Sequence, residues 1–467
     1  MRTTQLAILG GGPAGLSAAI EAAKAGVASI VIDENHTLGG QIFRRIPSSF
    51  SVRDEKKLGK YYVKGGKILE EVSKFSDKID VWTESLVWGL FEDKELAIMR
   101  DGNLELLKAD QIVIAPGAYD RPVPFPGWTL PGVFTAGGTQ VMIKSQRILP
   151  GSRFLLAGSG PLQLAVADQL LKSKAKVVAV LEAASMTGMW RYVPNLLNEP
   201  ELMLDGFRYL ATLKLHRVPF LQSHIIVKAN GSEEVEGAVI ASVDEDWQPI
   251  PETERAFEVD AICIGYGLIP NTDLARLCGC AHDYDSRLSG WVTRCNENME
   301  TTVHGIFVAG DGCQIAGFGA AIEQGRLAGI FAARNLGLID SVRAEVVAKP
   351  IRRRLKRHLA FQSGVGELYT VRSGIYGLAD EGTLVCRCEE ITLGEIRRAM
   401  QEGASHPNDI KRRTRAGMGF CQGRICVPTF QGIVDRELGI EPADIGQERV
   451  RTPLKPIPLG SFQQDPP

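Results

Sequence analysis

The stretch LAILGGGPAGLSAAIEAAKAGVASIVIDE, residues 6–34, decides the fold. Leu6 to Leu9 reads as a short buried strand of a parallel sheet. Gly10-Gly11-Gly12-Pro13-Ala14-Gly15 follows with G-x-G-x-x-G spacing. A run of good helix formers then ends at Gly26, and a second strand ends in acid. Strand, glycine turn, helix and strand together form the βαβ unit in which this spacing means dinucleotide binding. Gly10 permits the tight turn. Gly12, with Pro13 and Ala14 behind it, lets a pyrophosphate approach the backbone at a helix N-terminus, where its charge is favoured. Gly15 lets helix and strand pack closely. Glu34, 24 positions after Gly10, is placed to accept hydrogen bonds from ribose hydroxyls, with Asp33 as the neighbouring alternative.

Outside this unit the composition sets bounds. A chain of 467 residues holds two to four domains at ~150 residues each. With 53 basic against 55 acidic residues, nothing electrostatic points to nucleic acid or an anionic membrane. The first apolar run is too short for a signal peptide, and no stretch reaches the ~18–20 apolar residues of a spanning helix. Nine cysteines, none before Cys263, do not make a secreted disulfide scaffold. The expectation is a cytoplasmic protein with reduced thiols, with membrane association through partners left open.

LGGQIFRR follows at residues 38–45. Here the chain resembles the flavoproteins with two dinucleotide domains, the group of thioredoxin and glutathione reductases. The resemblance implies that Gly39, Gly40 and Gln41 help to hold FAD. No cysteine lies near, so the redox disulfide of those reductases is missing. Ala115-Pro116-Gly117 resembles their A-T-G segment, with proline in place of threonine. The strand Gly305 to Ala309 ends in Gly310-Asp311, and the resemblance assigns Asp311 to the FAD ribitol. The next helix, through Ala320 and Ala321, would aim its N-terminus at the flavin's pyrimidine end, where the dipole favours the anionic reduced form. The FAD domain is therefore expected to be discontinuous, residues 1–125 and 285–345.

Between these halves, residues 153–182 repeat the opening unit: strand, Gly158-Ser159-Gly160, helix, strand, Glu182. A second Rossmann-like domain is expected over 126–284. Gln163 stands at its third glycine position, where it would disturb helix–strand packing and crowd a pyrophosphate. NAD, another adenine nucleotide, or a vacant fold all remain open. Glu182 favours NAD over NADP.

The C-terminal part carries Cys386-x-Cys388, then Cys421-x4-Cys426. Free buried thiols, structural zinc and a [2Fe–2S] cluster all accept this set. The segment resembles the bacterioferritin-associated ferredoxin module, closest in TRAGMGFCQGRIC, and that resemblance implies [2Fe–2S] held by all four cysteines. Gly417, Gly419 and Gly423 would let backbone N–H groups approach the sulfurs. Thr392 and Glu395 form an expected capping box. The other five cysteines read as structural. Residues 346–380 are expected as a linker, its basic run KPIRRRLKRHLAFQ a solvated helix face or a dock for an acidic partner. The module spans 381–440, and the proline-rich 441–467 reads as an extended tail.

The fold class is thus α/β: two Rossmann-like domains plus a small helical iron–sulfur domain. The combination is similar to the large flavoprotein subunits of amine-oxidising complexes: hydrogen cyanide synthase, opine oxidase, hydroxyproline and proline dehydrogenases and sarcosine oxidase. The resemblance implies a hetero-oligomer containing a small ferredoxin-like subunit plus a smaller FAD-containing, amine-oxidising subunit. It also leaves room for FMN at the interface between subunits. A relay of electrons is the expected role. The rivals are a self-contained NADH-dependent reductase, a non-catalytic scaffold, and amine oxidation within this chain.

Overall fold

The computed structural model describes residues 1–47 and 49–463. β1 (Arg2–Leu9) lies at the centre of a seven-stranded sheet. It runs into α1 (Pro13–Lys24) and then β2 (Ser29–Ile32). β2 and β3 (Ile79–Trp82) continue the sheet on one side in parallel. On the other side β6 (Asn103–Ile114) pairs parallel with β1 and antiparallel with β5 (Glu95–Arg100), which turns back to β4 (Ser85–Phe91). The strand Ile306–Val308, nearly 200 residues later in the chain, completes the sheet against the end of β6. Carbonyl ends of β1, β6 and this late strand therefore open on one cleft, the usual ligand position in such sheets.

The second sheet is parallel throughout. Its order is β10 (Phe220–Gln222), β9 (Lys176–Glu182), β8 (Arg153–Gly158), β11 (Ala261–Gly265), β7 (Val133–Thr135), with α2 (Pro161–Lys172) crossing from β8 to β9. Apolar β-branched and leucine side chains buried on both faces explain these strands.

α3 (Gly317–Asn335) crosses α1 with almost no gap. A Cβ on Gly325 would stand 2.0 Å from the carbonyl oxygen of Ala14, and one on Gly329 2.3 Å from that of Ala18. The stretch expected as a linker is mostly helix: α4 (Ser341–Leu368) is 28 residues long, capped by Asp340. It buries Ala344, Ala348, Ile351 and Leu355 in the α1–α3 core. Apolar residues at helical spacing, rather than the basic run, set its course.

The C-terminal module has α5 (Leu393–Gln401), α6 (Pro407–Thr414) and α7 (Val427–Leu438) around a short strand pair. Thr392 and Glu395 form the capping box. The tail, expected as extended, carries a short helix Pro442–Ile445, then crosses the FAD-side sheet, where Leu454 N–H donates to Trp88 O at 2.8 Å. Residues 464–467 of the expected tail lie outside the described residues. Among the described residues, no helix is long and apolar enough to cross a membrane.

Candidate functional site

The first glycine turn is built by backbone contacts that leave no room for side chains. A Cβ on Gly10 would lie 2.2 Å from Ala115 O, and one on Gly15 1.9 Å from Gly10 O. Gly39 N–H donates to Gly11 O at 2.8 Å, so the Gly39-Gly40 loop folds onto the turn. A Cβ on Gly40 would stand 2.9 Å from Gly12 Cα. The result is a slot floored by Gly12 and Gly40 at the N-terminus of α1, with Pro13 opening the helix. Ala115 and Gly117 follow β6 along the same edge.

Of the two acids after β2, Asp33 faces the turn. Its carboxylate accepts from Gly11 N–H at 2.6 Å and from Asn35 N–H at 2.8 Å. Glu34, the expected ribose acceptor, is half exposed and forms an ion pair with Lys455 of the returning tail. Gln41 is exposed and accepts from Arg44. At the other end, Gly310 nests against Ala14 and Ala321 of α3, and its N–H donates to Gln324 Oε1 at 2.9 Å. Ala320 and Ala321 are buried. Asp311 is recessed, and its carboxylate accepts no hydrogen bond from the described residues; burial pushes its pKa up to about 6. An unpartnered acid at the mouth of a glycine-floored slot fits a hydroxyl-rich ligand that donates to it.

Two cations border this cleft without a carboxylate at ion-pair distance among the described residues. Burial lowers the pKa of Arg44, which Asp33 offsets in part. Lys144, on the wide turn Met142–Gln146, is pushed down to about 8 by burial and then by Arg44. Sequence spacing gave no signal for Lys144, nor for His358 of α4, whose ring covers Gly319 at the start of α3 and whose Nδ1 lies 2.7 Å from Glu199 Oε1.

The four C-terminal cysteines come together. Cys386 and Cys426 are buried, Cys421 is half-buried and Cys388 is exposed. Cys386 contacts Cys426, Cys426 contacts Cys421, and Cys421 contacts Cys388. A hydrogen bond from Cys426 holds the Cys386 thiol down to about 6, with help from the N–H groups of Gly417, Glu389 and Cys388. Cys421 is also lowered, by Cys426 and then by the N–H groups of Ile425 and Gly423. Gly417 and Gly423 both adopt φ of 85°, in the left-handed region, to present these donors. Among the described residues, no group of three such side chains is arranged around a single metal ion. Cys426, which donates to both Cys386 and Cys421, is pushed up, and burial raises Cys388. An open row of four sulfurs suits a larger inorganic core.

Residues 4–328 match the pyridine nucleotide-disulphide oxidoreductase family, and residues 384–436 match the BFD-like [2Fe-2S] binding domain. The chain belongs to the pyridine nucleotide-disulphide oxidoreductases. It is 35% identical to a subunit of the opine oxidase of Rhizobium meliloti over 98% of this chain and 87% of that protein. It is 37% identical to hydrogen cyanide synthase subunit HcnB of Pseudomonas aeruginosa over 98% of this chain and 97% of that one. The L-proline dehydrogenase of P. horikoshii shares the fold, at TM-score 0.70 and 19% identity over 98% of this chain and 79% of that one. As a member of this family with an added BFD-like module, the chain is an FAD-dependent oxidoreductase that carries [2Fe–2S]. The glycine slot, the unpartnered Asp311 and the row of four cysteine sulfurs fit those two groups.

This oxidoreductase keeps the second turn. Glu182 is buried; its carboxylate accepts from Gly160 N–H at 3.0 Å and Ala184 N–H at 2.9 Å, and burial raises its pKa to about 7. Gln163 does not reach the phosphate position. It turns inward, donates to Ala157 O at 3.2 Å, and fills the space over Gly158 and Gly265. The ring of Tyr369, just after α4, stands beside the turn, 3.9 Å from the place of a Cβ on Gly160, an ordinary van der Waals contact. Its hydroxyl reaches Met186 Sδ at 3.9 Å.

Proposed function

We propose that this chain is the electron-relaying subunit of an amine or amino-acid dehydrogenase complex, passing electrons from the flavin of a smaller amine-oxidising subunit to an acceptor. The observation that carries the reading is one polypeptide with both an FAD-type cleft and a four-cysteine module, the latter seated on the second dinucleotide fold by a packed core. FAD accepts electrons in pairs and releases them singly, whereas a [2Fe–2S] cluster takes one, so together they convert two-electron amine oxidation into single steps. The opine oxidase and hydrogen cyanide synthase relatives are named as subunits, which supports a hetero-oligomer.

In this reading Gly10, Gly12, Pro13, Ala14, Gly15 and Gly40 leave the backbone open to the pyrophosphate, and Asp33 orders the turn beside the ribose. Ala115 and Gly117 line the adenosine side. Asp311 accepts from the ribitol, while Gly310, Ala320 and Ala321 set the α3 N-terminus against the ring. Cys386, Cys388, Cys421 and Cys426 ligate the cluster. An apolar stripe on the second fold, with Trp190 72%, Leu197 61%, Leu204 70% and Phe207 63% exposed, supports docking of the amine-oxidising partner. FMN at that interface and a small ferredoxin-like subunit belong to the same proposal, as does a cytoplasmic site with membrane contact only through partners.

The ring of Tyr369 beside the Gly160 turn favours the relay over NAD binding there and over the NADH-reductase rival. Stopped-flow of the isolated chain with NADH tests this: the relay expects slow or no flavin bleaching, and rapid bleaching overturns it. Replacing Cys421 with serine is expected to abolish the paramagnetic signal of the reduced cluster, and a retained signal removes Cys421 from the ligand set.

A further inference from the structure

The relay leaves one recess without a role. A cavity of about 340 Å³ lies between α6, the cysteine loop and the returning tail. Five cations line it, Lys411, Arg412, Arg424, Arg449 and Arg451, against the carboxylates of Asp273 and Glu448. Both acids are already engaged. Glu448 Oε1 accepts from Arg276 at 2.9 Å, and Asp273 Oδ2 stands 2.7 Å from Arg424. Arg412 pairs with Asp409. Lys411, Arg449 and Arg451 therefore converge with no carboxylate at ion-pair distance among the described residues.

Like charges this close repel, and water screens them only in part, since Lys411 is half-buried while Arg449 and Arg451 are exposed. The wall is nevertheless held in place. Arg449 N–H donates to Asn408 Oδ1 at 3.0 Å. Arg424, 11% exposed, donates to Leu454 O at 2.8 Å and to Cys421 O at 3.2 Å, while its Nε is buried without a partner. Met418 and Leu454 add apolar surface.

We propose that this cavity binds an organic phosphate of mononucleotide size. The volume lies at the lower end of the ~300–1,000 Å³ typical of small-molecule sites and exceeds what a bare phosphate fills. Arginine forks suit phosphate oxygens, and three free cations match a doubly or triply charged group. Arg424 ties the wall to the carbonyl of Cys421, so an anion here places negative charge beside the cluster and lowers its reduction potential.

The test is calorimetric titration of the holoprotein with inorganic pyrophosphate, ADP and FMN, repeated on the double variant Lys411→Glu, Arg449→Glu. Both sites are polar surface positions of the wall, and unchanged flavin and cluster spectra confirm that the variant folds. The expected result is saturable binding of ADP or FMN at least ~10-fold tighter than pyrophosphate, weakened ~10-fold or more in the variant. Whichever organic probe binds better identifies the base. Binding that is absent for all three probes, or equal in wild type and variant, overturns the proposal. Pyrophosphate binding as tightly as both organic probes overturns its organic part. Heat is the readout, so the outcome does not depend on the relay.

Discussion

Gly419 sits where the cysteine loop crosses the C-x-C strand, and its replacement by alanine should separate iron binding from folding. A Cβ there would stand 2.3 Å from the Cβ of Cys388 and 3.0 Å from Oε1 of Glu389. Carbon atoms settle at ~3.5–4.0 Å, so the two segments must part by about 1.2–1.7 Å. Cys388 Cβ is one bond from its sulfur, and the displacement reaches the sulfur almost undiminished. Overpacking of this size costs about 1–3 kcal/mol, which a module seated in a large core survives. Metal–ligand distances tolerate only about 0.2 Å, so ligation does not. Gly419→Ala is expected to keep its flavin and lose most of its iron, read by iron and sulfide analysis and by the signal of the dithionite-reduced protein. Gly366→Ala is the control: it lies in α4 with open space around it, and both cofactors should stay. Full iron with an unchanged signal in Gly419→Ala would mean that the loop does not cross Cys388 as described.

Asp311→Ala should weaken FAD binding by about 10- to 100-fold, as expected for a lost hydrogen bond to a charged acceptor, with iron unchanged; unaltered flavin retention in dialysis contradicts the ribitol assignment. Tyr369→Ala should open space beside the Gly160 turn, lower stability by about 1–3 kcal/mol and raise affinity for NADH or ADP; no gain in binding shows that the ring does not hinder a nucleotide there. Lys144→Met should raise the melting temperature of flavin-free protein at pH 7. Burial depresses the folded-state pKa from 10.5 to about 8, so between those values the folded wild type binds fewer protons than the unfolded chain and gains stability as pH rises. The advantage of the variant should therefore shrink across that window, and a constant difference refutes the depressed value.

What could be read in the sequence was what spacing encodes. The Gly10 to Gly15 turn, its copy at Gly158, and the two cysteine pairs are each set by contacts within one unit, so residue type and interval carried them. Contacts between distant segments carried no such signal. Nothing near Glu34, the expected ribose acceptor, announces its ion pair with Lys455, or that Asp33, the neighbouring alternative, faces the turn. Gln163 was legible as a departure, but its inward rotamer depends on Gly265, 102 positions away. The approach of Tyr369 to Gly160 rests on the length and course of α4, a helix hidden under a basic run that drew attention to charge instead of to Ala344, Ala348, Ile351 and Leu355.

The iron–sulfur module is not a tethered carrier. Leu155, Leu181 and Ile262 of the second sheet share one continuous core with Val385, Ile396, Phe430 and Ile433 of the module. Trp128 Nε1 donates to Leu384 O at 2.6 Å, one residue before the strand's middle position Val385. Buried Arg121 donates to Tyr376 OH at 3.1 Å and to Ser289 O at 3.3 Å, and Arg424 pins the cysteine loop to Asp273. Swinging the module away would expose that core and strand these buried charges, a far larger penalty than the polar interfaces of mobile domains carry. In the proposed relay the cysteines therefore accept electrons while seated on the second fold. The second dinucleotide fold has a structural use of its own: β8, β9 and β11 supply the apolar face on which the module is built, and that demand is met whether or not a nucleotide binds.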